Sequence, residues 1–220
     1  MTGDKEDLSL WFPPGVNHRT FTRKKPIRHV VLHWTAGIGD ASQVYRTLIK
    51  RGYSIHYVTQ PDGAERQMAD HSTRCSHATI LSDTSIGIEN VGFGFKRGPK
   101  KFRHRKWPYQ TFEKYSCVID GKEKMAVGFT DVQVETIVEL VDRLCFEHNL
   151  PRIYPSPERV PVDKVRRFAR EFSGVLGHFH VHMRRTRWSK NKGSKWDPGT
   201  QIFKALGEAG FLEVPIANYF

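Results

Sequence analysis

What this sequence has little of narrows it first. Cysteine is sparse: Cys75, Cys117 and Cys145 are widely spaced and odd in number. No disulfide framework or Cys-x-x-Cys metal knuckle can be built from them, so reduced thiols are expected. Long apolar runs are absent, which excludes any helical segment of the roughly 20 apolar residues a bilayer span requires. The opening from Met1 to Asp7 is acidic and polar. It lacks the basic start and apolar stretch of a secretory signal, so cytoplasmic synthesis is the expectation. Internal repeats and low-complexity tracts are missing. Negative charge is the scarcer sign, with 23 Asp and Glu against 35 Lys and Arg and a net charge of +12. Such a surplus implies a polyanionic partner: nucleic acid, a membrane surface or an anionic cell-wall polymer. The chain of 220 residues, 38% hydrophobic, has the size and composition of one globular domain.

The patterning is α/β. Ile27 to His33 is β-branched and apolar and reads as a buried strand. Asp40 is an N-cap with Gln43 at the capping-box position, Ala41, Val44, Tyr45, Leu48 and Ile49 follow at helical spacing, and Gly52 closes the helix. Ser54 to Gln60 and Ala64 to Met68 are hairpin strands about the turn signal Pro61-Asp62-Gly63. Thr84 to Asn90 is a further strand. Residues 92–129 lose periodicity and hold ten Lys or Arg against three acids, with Phe95, Phe102, Trp107, Tyr109 and Tyr115 interleaved; loops of that length are functional or disordered. Thr130 and Gln133 form a second capping box before the helical face Val134, Ile137, Val138, Val141 and Cys145. Residues 150–162, with four Pro, read as a loop. Asp163 is placed as the N-cap of a short basic helix from Lys164 to Phe172. Gly174 to Val181 reads as a strand, 183–196 as a basic loop, and Pro198 as the first residue of a last helix ending near Gly210. Strands alternating with helices imply a central sheet flanked by helices. The expected organisation is an N-terminal arm (1–26), a core domain (27–207) carrying the basic 92–129 insertion, and a C-terminal tail (208–220).

Three of these strands end in groups able to do chemistry: His33, Glu89 and His178. Ligand sites in open α/β sheets lie outside the C-terminal strand ends, so neighbouring ends would bring two imidazoles and a carboxylate to one point. Singly, each has an ordinary structural reading: an edge histidine, a solvated glutamate, and Asp197 before Pro198 as a helix cap.

Taken in order, the segments Val30-Val31-Leu32-His33-Trp34-Thr35-Ala36-Gly37, Ser54-Ile55-His56-Tyr57-Val58 with Pro61-Asp62-Gly63, Ser76-His77-Ala78, Ser85-Ile86-Gly87-Ile88-Glu89, Gly177-His178 and Lys195-Trp196-Asp197-Pro198-Gly199 resemble the type 2 N-acetylmuramoyl-L-alanine amidase family, relatives of the peptidoglycan recognition proteins. The resemblance spans roughly 27–207. It implies a mixed sheet flanked by helices and a Zn²⁺ held by His33, His178 and Asp197, three N/O ligands with a fourth position for water. It implies Glu89 as the proton-transferring acid/base and Lys195 as the stabiliser of the tetrahedral oxyanion. The implied scissile bond joins N-acetylmuramic acid to L-alanine in peptidoglycan. Trp34 and Asn90 flank catalytic positions and are expected at the stem peptide or sugar; His77 is open between substrate contact and structural residue. His56 and Tyr57 are expected to pack beneath the metal. The sequence departs from the family in the stretch between His178 and Asp197, which stand 19 positions apart with Arg184, Arg185, Arg187, Lys190 and Lys192 between them. It also departs in residues 92–129. His180 and His182 would share a face with His178 on a continuing strand; Gly177 favours His178 as ligand.

Several functions stay open at this level. One is a wall-degrading endolysin-type amidase, monomeric, acting on the wall after release. Others are a cytosolic anhydro-muropeptide recycling amidase, a delivered toxin of the same chemistry, and a non-catalytic wall-recognition module. A nucleic-acid binder would use the basic aromatic segments for phosphate contacts and stacking, yet no nucleic-acid motif accompanies them, so a specific nucleic-acid partner is not expected.

Overall fold

The computed structural model describes residues 12, 20–95, 99–181 and 195–220. In chain order the strands are β1 (Phe21–Thr22), β2 (His29–Trp34), β3 (Tyr57–Thr59), β4 (Glu65–Gln67), β5 (Thr73–Arg74), β6 (Ser85–Asn90), β7 (Lys101–His104), β8 (Trp107–Ile119), β9 (Lys122–Val127), β10 (Ile153–Pro155), β11 (Gly174–Gly177) and β12 (Leu212–Val214). The helices are α1 (Ala41–Arg51), α2 (Asp131–Glu147), α3 (Val165–Glu171) and α4 (Gln201–Glu208).

The central sheet runs β11-β2-β6-β3-β4. Its first four strands are parallel and β4 closes the edge antiparallel, so the sheet is mixed as expected. The two sides of each strand meet different helices. Val30, Leu32, Ile86, Ile88 and Val175 pack under α2 and α4, while Val31 and Leu176 pack under α3. Helix α1 covers Ile55 and Val58 with Ala41 and Val44. Each fully buried aliphatic side chain contributes about 1.5–3 kcal/mol. The caps read from sequence form in part: Asp40 and Thr130 each accept from the backbone N–H of the residue three on. The reciprocal half of each box does not form. Gln43 accepts from Lys106, and Gln133 turns inward to Thr59 and Val91.

Of the arm, the described residues are anchored to the body: Phe12 is buried, and the Arg23 guanidinium donates to the carbonyls of His71, Asp83, Thr73 and Ser85. The tail joins the fold by pairing β12 parallel to β10 within the proline-rich stretch that read as a loop.

Four local expectations are corrected. The aperiodic 92–129 segment is largely a three-stranded antiparallel sheet, β7-β8-β9. Its alternation is obscured because large apolar residues also occupy its open face: Tyr109 is 91% exposed and Met125 50%. The overlooked signal is Asp120-Gly121, whose φ of 53° and 67° make the left-handed pair of a tight hairpin turn. Asp163 caps nothing, because the N–H of Lys164 already bonds the Pro161 carbonyl and α3 starts one residue later than the expected first turn. Strand β11 stops at Gly177, where the His180 ring accepts from the Gly177 N–H and turns the chain. Pro198 does not open α4; Gly199 at φ 83° intervenes and Thr200 takes the N-cap position.

Candidate active site

The β11-β2-β6 order sets the three chemical strand ends side by side. His33 pairs with Glu89 across β2 and β6, and the His178 N–H continues the ladder to the Leu32 carbonyl. Paired residues share a sheet face, so Ser85, Gly87 and Glu89 align with His29, Val31 and His33. Asp197 arrives from the chain before α4. Its Oδ2 lies 3.1 Å from His178 Nδ1 and 3.5 Å from His33 Nδ1. His33, His178 and Asp197 are buried, and their ligand atoms lie within 4.8 Å of one another, which makes them a group able to hold a metal ion.

The hydrogen bonds behind His33 define its tautomer. The Leu81 carbonyl can only accept, so the Ser85 hydroxyl donates to it at 2.7 Å. Ser85 Oγ then accepts from His77 Nε2 at 3.1 Å. His77 Nδ1 is left as an acceptor for His33 Nε2–H at 3.1 Å. The lone pair of His33 Nδ1 therefore faces Asp197. The His77 ring fits only because residue 87 is glycine: a Cβ there would stand 2.5 Å from His77 Nδ1.

Electrostatics favour the same protonation state. Burial, with the charge of His178, pushes His33 down to about 4 against the pull of Asp197. Burial and the neighbouring imidazoles of His33, His56 and His178 hold His77 well below its ordinary value. Burial would raise the Asp197 carboxyl, but the neighbouring imidazoles of His178 and His33 and the Lys195 ammonium more than offset it and hold it well below the usual carboxylate range. Burial and the Asp197 charge push Glu89 up to about 8, with Lys195 and Arg51 opposing. The Glu89 carboxyl has no hydrogen-bond partner among the described residues. The Lys195 ammonium sits 3.0 Å from His178 Nδ1. An unprotonated Nδ1 facing a carboxylate places two electron-rich atoms together, and the donor set fits a divalent cation bound by imidazole and carboxylate.

The other expected residues divide by face. Trp34 and Asn90 follow His33 and Glu89 in their strands, so their side chains leave the opposite side of the sheet. Asn90 is buried and occupied: its amide donates to the His33 carbonyl at 2.7 Å and accepts from Thr59 at 2.8 Å. Trp34 packs edge-on against Phe95, which packs edge-on against Trp196. His77, with both ring nitrogens bonded within the protein, stands as a support of His33. His56 accepts from the Gly87 N–H and donates to the Thr73 carbonyl. Tyr57 bonds His71 at 2.7 Å. His180 accepts from Gly177 and donates to the Ser156 carbonyl, a backbone brace outside the cluster. His182 and Arg184, Arg185, Arg187, Lys190 and Lys192 lie outside the described residues.

Sequence reading missed Ser85 as the anchor of the imidazole chain; its two-residue phase with Gly87 and Glu89 was the available signal. It also missed the fixing of the Lys195-Trp196 segment from the inserted sheet. Arg159 pairs with Asp120 of the β8–β9 turn, donates to the Lys195 carbonyl at 2.5 Å and lies 5.2 Å from the Trp196 ring. From β9, Lys124 sits 4.5 Å above Trp196 and 5.3 Å above Phe95.

No curated protein matches the chain by sequence. Among solved structures, the amidase AmiD from E. coli, in complex with anhydro-N-acetylmuramic acid-L-Ala-D-gamma-Glu-L-Lys, aligns at 18% identity with a TM-score of 0.52, over 86% of this chain and 59% of that one. AmpDh3 from Pseudomonas aeruginosa aligns at 19% identity with a TM-score of 0.51, over 85% and 61%. The chain thus spans about three fifths of the length of these two structures, and the likeness is one of fold. The profile described as N-acetylmuramoyl-L-alanine amidase matches residues 23–200, and the chain belongs to that family.

Proposed function

We propose that this protein is a Zn²⁺-dependent N-acetylmuramoyl-L-alanine amidase, hydrolysing the amide between the lactyl group of N-acetylmuramic acid and L-alanine. The observation that carries the reading is the convergence of His33 Nδ1, His178 Nδ1 and Asp197 Oδ2 beside Glu89, with His33 held in the ligand-competent tautomer. His33, His178 and Asp197 would hold the ion; bound there, Zn²⁺ supplies Lewis acidity toward water and the amide carbonyl. Glu89 takes the proton of the attacking water and hands it to the leaving L-alanine nitrogen. A carboxyl without hydrogen-bond partners among the described residues, and pushed up to about 8, suits transfer in both directions. Lys195, beside His178, presents its ammonium where negative charge develops on the former carbonyl oxygen. A non-catalytic recognition module would need none of this proton-transfer machinery, and all five residues are present together.

The preferred substrate in this reading is the intact anionic wall rather than a soluble anhydro-muropeptide, as for an endolysin acting after release. The support is the inserted sheet: Lys101, Arg103, Arg105, Lys122 and Lys124 are exposed on it, and its Lys124 reaches the aromatic wall of Phe95 and Trp196 beside the site. Product analysis on purified peptidoglycan tests the reaction. New L-alanine amino termini, lost on chelation and restored by Zn²⁺, are expected. New reducing sugar ends or D-amino-acid termini would overturn it.

A further inference from the structure

A second cluster of metal-capable side chains lies at the far end of α2. His71, in the turn between β4 and β5, meets Glu147 and His148, and the three offer ligand atoms within 4.8 Å of one another. His71 Nδ1 stands 2.9 Å from His148 Nε2 and 3.8 Å from Glu147 Oε2. Ligands bound to zinc at about 2.0–2.1 Å in tetrahedral geometry lie about 3.3 Å apart, so these separations bracket that spacing.

The local fold explains why consecutive residues converge. Side chains at adjacent helical positions do not face each other, but α2 ends at Glu147. His148 leaves helical geometry at φ −108°, ψ 11°, and Asn149 is left-handed at φ 51°. That break swings the His148 ring toward the His71 ring, with centroids 4.8 Å apart. The other nitrogen of His71 is held by the buried Tyr57 hydroxyl at 2.7 Å. Where Nε2–H donates to the Tyr57 oxygen, Nδ1 presents its lone pair, and such a bond on the far ring nitrogen orients metal-bound histidines. The two Glu147 oxygens are divided, Oε1 facing Arg143 at 4.0 Å and Oε2 facing His71. The closing carbonyls of α2 add negative potential, and its last turn carries no basic residue.

We propose that His71, Glu147 and His148 form a second divalent transition-metal site, separate from the His33 cluster, that ties the β4–β5 turn to the C-terminal end of α2. Two imidazoles and one carboxylate suit Zn²⁺, with a fourth position open to water or an outside ligand. The proposal does not depend on the amidase reading, since neither imidazole belongs to the His33 cluster.

Equilibrium dialysis of the full chain against Zn²⁺, with bound metal counted by elemental analysis, tests it. Two equivalents are expected for the unmodified chain and one for Asp197→Ala, which removes a ligand of the first cluster only. One equivalent is expected for His148→Ala, and for Glu147→Gln a loss of at least tenfold in affinity for the second equivalent. Glu147 is on the surface, so its variant tests the site even if the loss of His148 impairs folding. Two equivalents retained in both His148→Ala and Glu147→Gln, or a single equivalent in the unmodified chain that vanishes in Asp197→Ala, would overturn the proposal. Absence of amidase activity in the unmodified chain, with the second equivalent bound, would instead count against the active-site reading alone.

Discussion

Substituting Ser85 by alanine tests the imidazole chain without touching a ligand. In the unmodified chain the direction of every proton from Leu81 to His33 follows from one carbonyl that cannot donate. Ser85→Ala leaves the buried His77 Nε2–H without an acceptor, a cost of about 1–3 kcal/mol. The other tautomer, with a lone pair on His77 Nε2, also loses its partner at Ser85 Oγ, so what the substitution removes is the bias toward an unprotonated His33 Nδ1. The alternative, with the proton on His77 Nδ1, makes His33 Nε2 an acceptor and moves the His33 proton to Nδ1, the atom facing Asp197. Removal of such an outer-shell partner weakens metal binding about 10–100-fold, equivalent to about 1.4–2.7 kcal/mol. The Leu81 carbonyl keeps a partner in the Thr84 N–H at 2.9 Å, so the backbone is retained. Competition with a chromophoric chelator measures the zinc affinity, and imidazole ¹⁵N shifts report which nitrogens of His33 and His77 carry protons. Unchanged affinity at the His33 cluster, together with unchanged ¹⁵N shifts, would refute the reasoning.

Further outcomes follow from the same structure. Glu89→Gln retains zinc and lowers turnover at least about 100-fold, the scale of a lost acid/base; full activity in a product assay would remove Glu89 from proton transfer. Gly87→Ala drives a methyl to 2.5 Å from His77 Nδ1 and 2.6 Å from Ile55 Cδ1. It should destabilise the fold by about 1–3 kcal/mol, read by denaturant unfolding, and loosen zinc binding. His29, His56 and His180 are buried neutral, each pushed down chiefly by burial from 6.5 to about 4, 3 and 4. Their depressed folded values make this stability fully present above pH 6.5 and progressively lost as pH falls toward 4, at about 1.4 kcal/mol per pH unit for each; a flat unfolding midpoint between pH 7 and 4.5 would contradict it. Replacing Lys101, Arg103 and Lys122 by Gln should weaken binding to purified wall and flatten its salt dependence, while sparing cleavage of a small muropeptide.

The inserted sheet carries part of the excess positive charge, with Lys101, Arg103, Arg105, Lys122 and Lys124 exposed on it. Arg159 and Lys124 show that the insertion is not appended loosely. Through Asp120, the Lys195 carbonyl and the Trp196 ring, it braces the chain that delivers Asp197. Loss of that bracing predicts that trimming the β8–β9 hairpin would disturb metal affinity as well as wall binding.

By itself the sequence determined the class of fold and the chemical groups. Alternating apolar strands and capped helices specified an α/β sheet, because burial of one face imposes a period on each element. His33, Glu89, His178, Lys195 and Asp197 were legible because each stands at a strand end or beside a turn within an ordered set of short segments. What only the tertiary structure decided is how these residues face. Strand order placed β11, β2 and β6 together, and the two-residue pleat then put His33 and Glu89 on one side, Trp34 and Asn90 on the other. The imidazole chain through His77 and Ser85 joins residues on separate segments, so no local pattern announces it. The end of β11 at Gly177 rests on one ring, His180, bonding back to the backbone. The hairpin of β8 and β9 was hidden because its open face carries aromatic and apolar side chains as well as charge. Local periodicity records which residues are buried; partner choice across the sheet and between loops comes from contacts distant in sequence, and these assembled the site.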